Sequence, residues 1–356
     1  MEGVRITGDD DIVIKCLPED FIVKECPSGY VLFGNSKHES KGGFSVYLLT
    51  KCGLRTLDAI AIISETIGLD MADIKYLGLK DEDAITSQYL FMPIEFQRCC
   101  ALEKRVDVGP ESYFALRYLG LTNKKPVIGG IIGNVFTVTL RNMERNFADV
   151  LFGQGFVDLR FPNYYGLQRF GKPNCAKRGH EIGDAIIQGD ITKAANVLQE
   201  CGDSGVIGLS TGSKLSVSSL DPRYVQLLTN ASSSKNFNKR LADLVSERCK
   251  SVVWDEMEGH SFAFSESVDA EEELRAIPRH LQSVAYYVDS RGKIGSKNTK
   301  RRSAALTTVL IRDVKRDHIY PGRYCQTLEF YLPSGSYATV MLGQLYWYIK
   351  GLARKS

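Results

Sequence analysis

Metal-ligand spacing is missing from this sequence. Its 356 residues include nine cysteines, yet none form the C-x-x-C pair that zinc sites use. Cys99 and Cys100 are adjacent, while Cys16, Cys26, Cys52, Cys175, Cys201, Cys249 and Cys325 are scattered. An odd count without ligand spacing predicts free thiols in a reducing compartment. The histidines (His38, His180, His260, His280 and His318) are also far apart. Neither H-E-x-x-H nor H-x-x-E-H occurs, and G-x-S-x-G is absent, so metal-hydrolase and serine-hydrolase chemistries have no support. No metal is expected. No stretch approaches the 18 apolar residues of a membrane helix. The opening MEGVRITGDDDIVIKC lacks the apolar core of a signal peptide. A soluble, cytoplasmic protein with no membrane association is expected. Strong charge of one sign is lacking too. A net charge of +3 and a pI near 8.3 permit a nucleic-acid partner without demanding one, since dedicated binders often exceed a pI of about 9.

What is present is an ordinary globular composition, 44% hydrophobic and 24% charged. The length predicts about two domains, because single cores rarely grow past ~250–300 residues. Short strands are predicted over residues 11–16, 21–25 and 44–49, and the β-branched run 135–140 reads as another. TLDAIAIISETIG carries a helical pattern with Thr56 as its expected N-cap and Gly68 as its stop. A loop and strand follow over residues 76–92. Residues 147–155 and 191–201 read as helices, SGVIGLSTGSKLSVSSL as a loop, and helical patterns surround Leu227 and Leu241. Residues 255–275 are polar and acidic. The chain closes on the strand TLEFYLP, a turn with a Ser or Thr cap, and the helix TVMLGQLYWYIKGLAR. The class is α+β: largely antiparallel strands with interspersed helices.

Two segments carry groups suited to chemistry. In Gly78-Leu79-Lys80-Asp81-Glu82-Asp83, a turn between apolar runs exposes an aspartate beside a lysine. A carboxylate held against a cation stays ionised, as a nucleophile or base requires. A polar β-turn with capping side chains is the alternative. In Phe161-Pro162-Asn163-Tyr164-Tyr165-Gly166-Leu167-Gln168-Arg169-Phe170-Gly171, aromatic rings sit among amides and an arginine. That mixture suits a pocket that stacks a flipped base and bonds its edge. An aromatic core corner is the alternative. The glycine-rich IGGIIGN precedes a strand and lacks the Lys-Ser/Thr of a P-loop, so no nucleotide cofactor is expected. The runs Lys124-Lys125 and Lys297 to Arg302 are basic, and each taken alone reads as a solvated face or loop.

In order along the chain, these segments resemble the TruD family of pseudouridine synthases. GLKDEDAITSQ is similar to the family's Gly-x-Lys-Asp-(basic)-x-Ala-x-Thr-x-Gln motif, and NYYGLQRFG to its Asn-Tyr-Phe-Gly-x-Gln-Arg-Phe-Gly motif. KCLPEDFIVKE, IGNVFTVTLR and FYLPSGSYAT also match. ASSSKNFNKRLADLVSER resembles a family helix, centred here on Phe237 and Asn238. Nearly the whole chain is covered, apart from roughly 250–320. The resemblance implies a catalytic domain with a mixed, largely antiparallel sheet over residues 1–190 and 315–356, interrupted by an α/β insertion over residues 191–314. That compact insertion would suit an archaeal member.

The resemblance also implies residue roles. Asp81 falls on the catalytic aspartate, Lys15 on its basic partner and Asn163 on a residue that orients it. Tyr165 stands where a ring stacks on the uracil. Arg169, Phe170, Gln88, Phe237 and Asn238 fall on substrate-binding positions. The implied reaction isomerises a uridine in tRNA, at position 13 by family habit, with no cofactor. Asp81 would either attack C1′ or abstract the C2′ proton. Three departures stand out. Tyr165 replaces a usual Phe, and Val127 replaces a usual Arg. Glu82, with Asp83 beside it, replaces a usual basic residue and would repel phosphate. The competing reading is a non-catalytic RNA-binding protein on the same scaffold.

Overall fold

A computed structural model describes residues 3–8, 10–28, 43–96, 105–126, 130–171, 177–201, 222–289 and 292–354. The Ser/Gly-rich stretch expected as a loop lies outside the described residues, as do Val127 and residues 128–129 of the glycine-rich turn. The described chain divides into two compact units. One comprises Met1–Arg5, Asp11–Asp158 and Thr307–Gly335; the other comprises Ile6–Asp10, Leu159–Leu306 and Ser336–Ser356. This division differs from the sequence pieces 1–190, 191–314 and 315–356.

The first unit is built on a large sheet. In spatial order its main strands are Ala304–Arg316, Tyr324–Pro333, Ile131–Met143, Phe21–Pro27, Ile85–Pro93, Phe44–Cys52, Tyr113–Thr122 and Arg105–Asp107. The pairs with defined register are antiparallel except Phe21–Pro27 with Ile85–Pro93, which runs parallel with Ile22 opposite Ile85. A mixed, largely antiparallel sheet in an α+β chain is therefore what the sequence pattern anticipated. Ile131–Met143 pairs with Phe21–Pro27 on one side and Tyr324–Pro333 on the other, so a late segment joins an early one within one sheet. The helix Thr56–Ile67 covers one face. Its Ala59, Ile60 and Ile63, spaced for one helical stripe, pack with Tyr47, Leu49, Leu90 and Leu116. Gly68 ends the helix in the left-handed region at φ 67°, a conformation that glycine adopts without steric cost.

Thr56 is not the helix cap. Arg55 occupies that position without a side-chain cap, because the Thr56 hydroxyl is engaged elsewhere: it donates to Gln88 Oε1 and accepts from the Lys80 amide. The expected Ser/Thr cap before the last helix, Ala338–Ala353, is also absent, and Tyr337 stands there instead.

In the second unit the helical patterns around Leu227 and Leu241 belong to one 27-residue helix, Pro222–Arg248. The patterns look separate because buried Ser232, Ser233 and Ser234 interrupt the apolar stripe. Ser232 bonds Asp184, Ser233 bonds the Val284 carbonyl and Ser234 bonds the Asn230 carbonyl, so these polar groups are satisfied in the core. Helices Gly179–Gln188 and Ile191–Glu200 pack beside it through Ile182, Ile186, Val197 and Leu228. The polar region 255–275 contains most of the hairpin Val252–Met257/His260–Ser265, whose Phe262, Ala263 and Phe264 are buried, and the short helix Ala270–Arg275. A second hairpin pairs His280–Val288 with Ile294–Arg302. Cys16, Cys26, Cys52, Cys249 and Cys325 are free thiols. Cys201 is disulfide-bonded, which corrects the expectation of free thiols throughout.

A buried histidine, His260, lies in this unit's core. Lys235 Nζ approaches His260 Nδ1 at 3.2 Å, and His260 Nε2 approaches the Lys177 carbonyl at 3.2 Å. The ring stacks on Phe170 at 4.2 Å. An ammonium on one side and a carbonyl on the other select the neutral imidazole. Burial, then the Lys235 charge, push the His260 pKa down to about 4. The folded value lies below the unfolded ~6.5, so the unfolded chain binds the proton more readily. Stability from this group is complete above pH ~6.5 and falls as pH drops toward 4, by up to about 3 kcal/mol. Urea unfolding at pH 7 and 4.5 should show that much more loss in the wild type than in His260→Gln.

Candidate active site

In the first unit, the KCLPEDFIVKE segment ties two others together through its charged side chains. Lys15 Nζ donates to Asp81 Oδ2 at 2.8 Å. Asp20 accepts two bonds from Arg141 at 2.7 Å each, and Arg141 also reaches Asp317. Glu25 accepts from Lys80 Nζ at 2.8 Å and from the Tyr89 amide at 3.0 Å. The charged partners Asp81, Lys80 and Arg141 come from the GLKD and VTLR segments. The pairs Asp20–Arg141 and Lys80–Glu25 are almost fully buried. Breaking such a pair on one side leaves an uncompensated buried charge, typically at a cost of ~3–5 kcal/mol.

The turn that carries Asp81 is held at three backbone groups. Gln88 Nε2 donates to the Gly78 carbonyl, Thr56 Oγ1 accepts from the Lys80 amide, and Lys51 Nζ donates to the Asp81 carbonyl at 2.6 Å. Gln88 is fully buried, and both ends of its amide bind protein: it shapes the turn from behind. Lys51 is also fully buried, and burial pushes its pKa down to about 8 against the opposing pull of Asp81 and Glu82. Lys15 adopts φ 60°, a region costly for a residue with a Cβ. Its ammonium lies 4.4 Å from the centre of the Phe21 ring. What remains accessible is the Asp81 carboxylate, whose side chain is 39% exposed. Glu82 and Asp83 are exposed beside it.

The second unit holds the aromatic segment. Its two tyrosines diverge. Tyr164 is fully buried, edge-on to Phe262 and Phe264, with its hydroxyl on the Ala263 carbonyl. Tyr165 is only half-buried. Asn238 grips its backbone from both sides, accepting from the Tyr165 amide and donating to the Tyr165 carbonyl at 2.8 Å each. Phe237, 2% exposed, meets the Tyr165 ring edge-on at 5.6 Å. Tyr337 flanks the ring at 6.3 Å. Gly166 is required by this packing, since a Cβ there would lie 2.8 Å from the Tyr337 ring. Arg169 bonds Ser234 and stands 5.6 Å from the Tyr165 centroid. Phe170 is fully buried against His260. Asn163 is 3% exposed, and its amide nitrogen donates to the Arg302 carbonyl. Its side-chain oxygen is buried without a partner among the described residues, which typically costs ~1–3 kcal/mol.

Two residues here were not singled out by motif reasoning. Lys51 reads in sequence as one more strand lysine. Arg301 sits inside the basic run, in the part of the chain without family resemblance. Its guanidinium lies 3.7 Å from the Tyr165 ring centre and 5.5 Å from that of Phe237. It also donates to the Asn163 and Tyr164 carbonyls. On an antiparallel strand, alternate side chains face opposite ways. Arg301 therefore turns inward while Lys300 stays exposed, and the run is not a uniform solvated face. The structure thus brings Asp81, Lys15 and Gln88 together in one unit and Asn163, Tyr165, Arg169, Phe237 and Asn238 in the other.

The family profile of tRNA pseudouridine synthase D (TruD) matches residues 7–202, more than half of the chain. The chain belongs to the TruD family. A Pyrococcus abyssi relative named "Probable tRNA pseudouridine synthase D" is 29% identical over 196 residues, 55% of this chain and 44% of that protein. The chain thus aligns with less than half the length of that relative. A Sulfurimonas denitrificans tRNA pseudouridine synthase D is 24% identical over 362 residues, 94% of this chain and 95% of that one. A Methanosarcina mazei protein, whose crystal structure carries the TruD name, superposes with a TM-score of 0.54 at 19% identity, covering 99% of this chain. At that identity the likeness shows a shared fold.

Proposed function

We propose that this chain isomerises a uridine of tRNA, at position 13, to pseudouridine. The observation that carries the reading is the Lys15–Asp81 pair: a reachable carboxylate, ion-paired at 2.8 Å, on a turn fixed at Gly78, Lys80 and Asp81. The reaction breaks the uracil N1–C1′ bond, turns the base, joins C5 to C1′ and releases the C5 proton. Asp81 acts on the ribose, by attack at C1′ or by taking the C2′ proton, and Lys15 holds the carboxylate in place. Asn163 is counted among the catalytic residues by family resemblance. The flipped uracil stacks on Tyr165, with Arg169 nearby. Phe237 and Asn238 support that ring from behind, Phe170 anchors the segment in the core and Gln88 fixes the Asp81 turn.

Flipping a base costs a few kcal/mol, and stacking contributes about 1–3 kcal/mol per base. Lys and Arg contacts to phosphate then supply the remainder, so binding weakens steeply with salt. In this reading residues 1–190 and 315–356 form the catalytic domain, and residues 191–314 form an insertion that helps choose the RNA. The cytoplasm, where tRNA is modified, is the compartment. Among the described residues no helix is long and apolar enough to cross a membrane.

The test is release of tritium from tRNA transcripts labelled at uracil C5, with one tritium lost per modified site expected. Binding of the transcript without release would favour the second reading, a non-catalytic RNA-binding scaffold. The exposed Glu82 beside Asp81 is what favours it.

Lys51→Met tests the turn. The substitution removes the donor to the Asp81 carbonyl but leaves the carboxylate in place. Misplacing a reacting group by about an ångström costs on the order of 10²-fold. That loss is expected in kcat at saturating RNA, with binding unchanged, by the same assay.

A further inference from the structure

A polar cleft opens in the second unit between the helix Pro222–Arg248 and the hairpin of His280–Val288 with Ile294–Arg302. Its volume is about 140 Å³, well above the ~10–15 Å³ that one water needs. Three amides line it (Asn236, Gln282 and Asn298) together with Arg240, Tyr286 and Phe237. The described lining residues include a guanidinium and no carboxylate, which disfavours a metal or a cationic ligand.

The walls are preformed. Asn230 bonds both the amide and the carbonyl of Tyr286, at 3.1 and 2.9 Å, in the manner of a neighbouring strand. Ser233 donates to the Val284 carbonyl, and Arg240 Nη1 to the Gln282 carbonyl at 3.1 Å. The exposed edge of the hairpin is thereby tied to the helix, and the cleft lies along that seam.

The chemistry of the lining narrows its occupant. An isolated phosphate calls for donors alone, whereas amides offer donors and acceptors side by side, matching the mixed edge of a nucleobase. Tyr286, half-buried in the lining, provides aromatic surface of the kind on which unpaired bases stack. Register places Gln282 opposite Lys300 and Val284 opposite Asn298, so Gln282, Asn298 and Lys300 share one face of the hairpin. Lys300, like Lys239 on the helix, is exposed and available to a phosphate.

We propose that this cleft binds a second, unpaired nucleotide of the RNA substrate, its base among Asn236, Gln282 and Asn298 and its phosphate on Lys300 or Arg240. The proposal rests on the RNA-modifying reading above and adds a site distinct from the ring that takes the target uracil. The two are physically linked: Phe237 lines the cleft and also packs edge-on against Tyr165. The cleft thus adjoins, through Phe237, the ring that carries the uracil, and a nucleotide seated there is a neighbour of the target.

The test compares the wild type, the double variant Gln282→Ala/Asn298→Ala and the single variant Asn298→Asp on one tRNA transcript. For each, kcat and KM are measured by tritium release, and Kd by filter binding. The expected result is a rise of about tenfold in Kd and KM, the scale of one lost base contact. The kcat at saturating RNA should stay within about twofold, because the Asp81 turn is untouched. Ultraviolet crosslinking of the wild-type protein to the same transcript, read by mass spectrometry of its peptides, does not depend on any variant folding. It should place RNA on peptides spanning 233–240 or 282–298. Wild-type constants in both variants, with no crosslink in those peptides, would overturn the cleft and leave the reaction standing. A wild-type protein that neither modifies nor binds any transcript would overturn both, since the occupant of the cleft is defined by that reading.

Discussion

Lys15→Met is expected to lower kcat on the order of 10²-fold or more while leaving RNA affinity and fold nearly intact. Lys15 donates to Asp81 Oδ2 at 2.8 Å, and its own side chain is 15% exposed. Methionine preserves the length and apolar stem of the side chain but removes the charge and the donor. The Asp81 carboxylate then loses the contact that fixes its rotamer, while the turn behind it remains anchored through Gln88, Thr56 and Lys51. The loss should therefore appear in kcat and not in KM. Lys15→Arg should recover only part of it, because a planar fork does not reproduce a point charge at the same distance. Single-turnover measurements with excess protein separate the chemical step from RNA binding. Equal activity in Lys15→Met and the wild type would mean that the pair is an ordinary surface ion pair, of the kind that contributes ~0–1 kcal/mol.

Arg301→Ala is expected to reduce kcat/KM by about 10²-fold, and Arg301→Lys should not restore it. The guanidinium lies over the Tyr165 ring, 3.7 Å from its centre, and donates to two successive carbonyls, those of Asn163 and Tyr164. A desolvated cation over an aromatic face contributes about 2 kcal/mol. A buried carbonyl that loses its donor costs ~1–3 kcal/mol. Truncation should thus loosen the Asn163–Tyr165 backbone and free the ring to tilt, and mispositioning of this size accounts for the expected factor. The accompanying loss of stability should be about 1–3 kcal/mol, visible as a lower urea midpoint. Lysine supplies a charge but neither the planar stack nor the fork. Full activity in the lysine variant would reduce the role of Arg301 to a positive charge near RNA.

The Lys15–Asp81 pair was legible only through the family resemblance, and the other pairs of its segment not at all. KCLPEDFIVKE looks like a strand with charges out of place. Its Lys15, Asp20 and Glu25 pair with Asp81, Arg141 and Lys80, which is why those segments occur together. The helix Thr56–Ile67 was legible from its apolar spacing, but its cap was not. Thr56 looks like an N-cap to any local rule, and only the approach of Gln88, 32 residues later, shows where its hydroxyl goes. Lys51 and Arg301 were invisible for a similar reason. A buried lysine and an inward-facing arginine resemble their solvated counterparts until the strand register is known. The single helix Pro222–Arg248 was split in the sequence reading because its buried serines bond distant groups that periodicity cannot see. The division of the chain into units was illegible as well, since each unit draws on three separated stretches.

The most direct test is to map pseudouridine at single-nucleotide resolution in unmodified tRNA transcripts, by carbodiimide treatment and primer extension, with wild type and Asp81→Ala side by side. The account predicts one new stop, at position 13, with the wild-type protein and none with Asp81→Ala at equal RNA occupancy. A stop of equal strength with Asp81→Ala would contradict the assignment of the carboxylate, and RNA binding by both proteins with no stop from either would contradict the proposed activity.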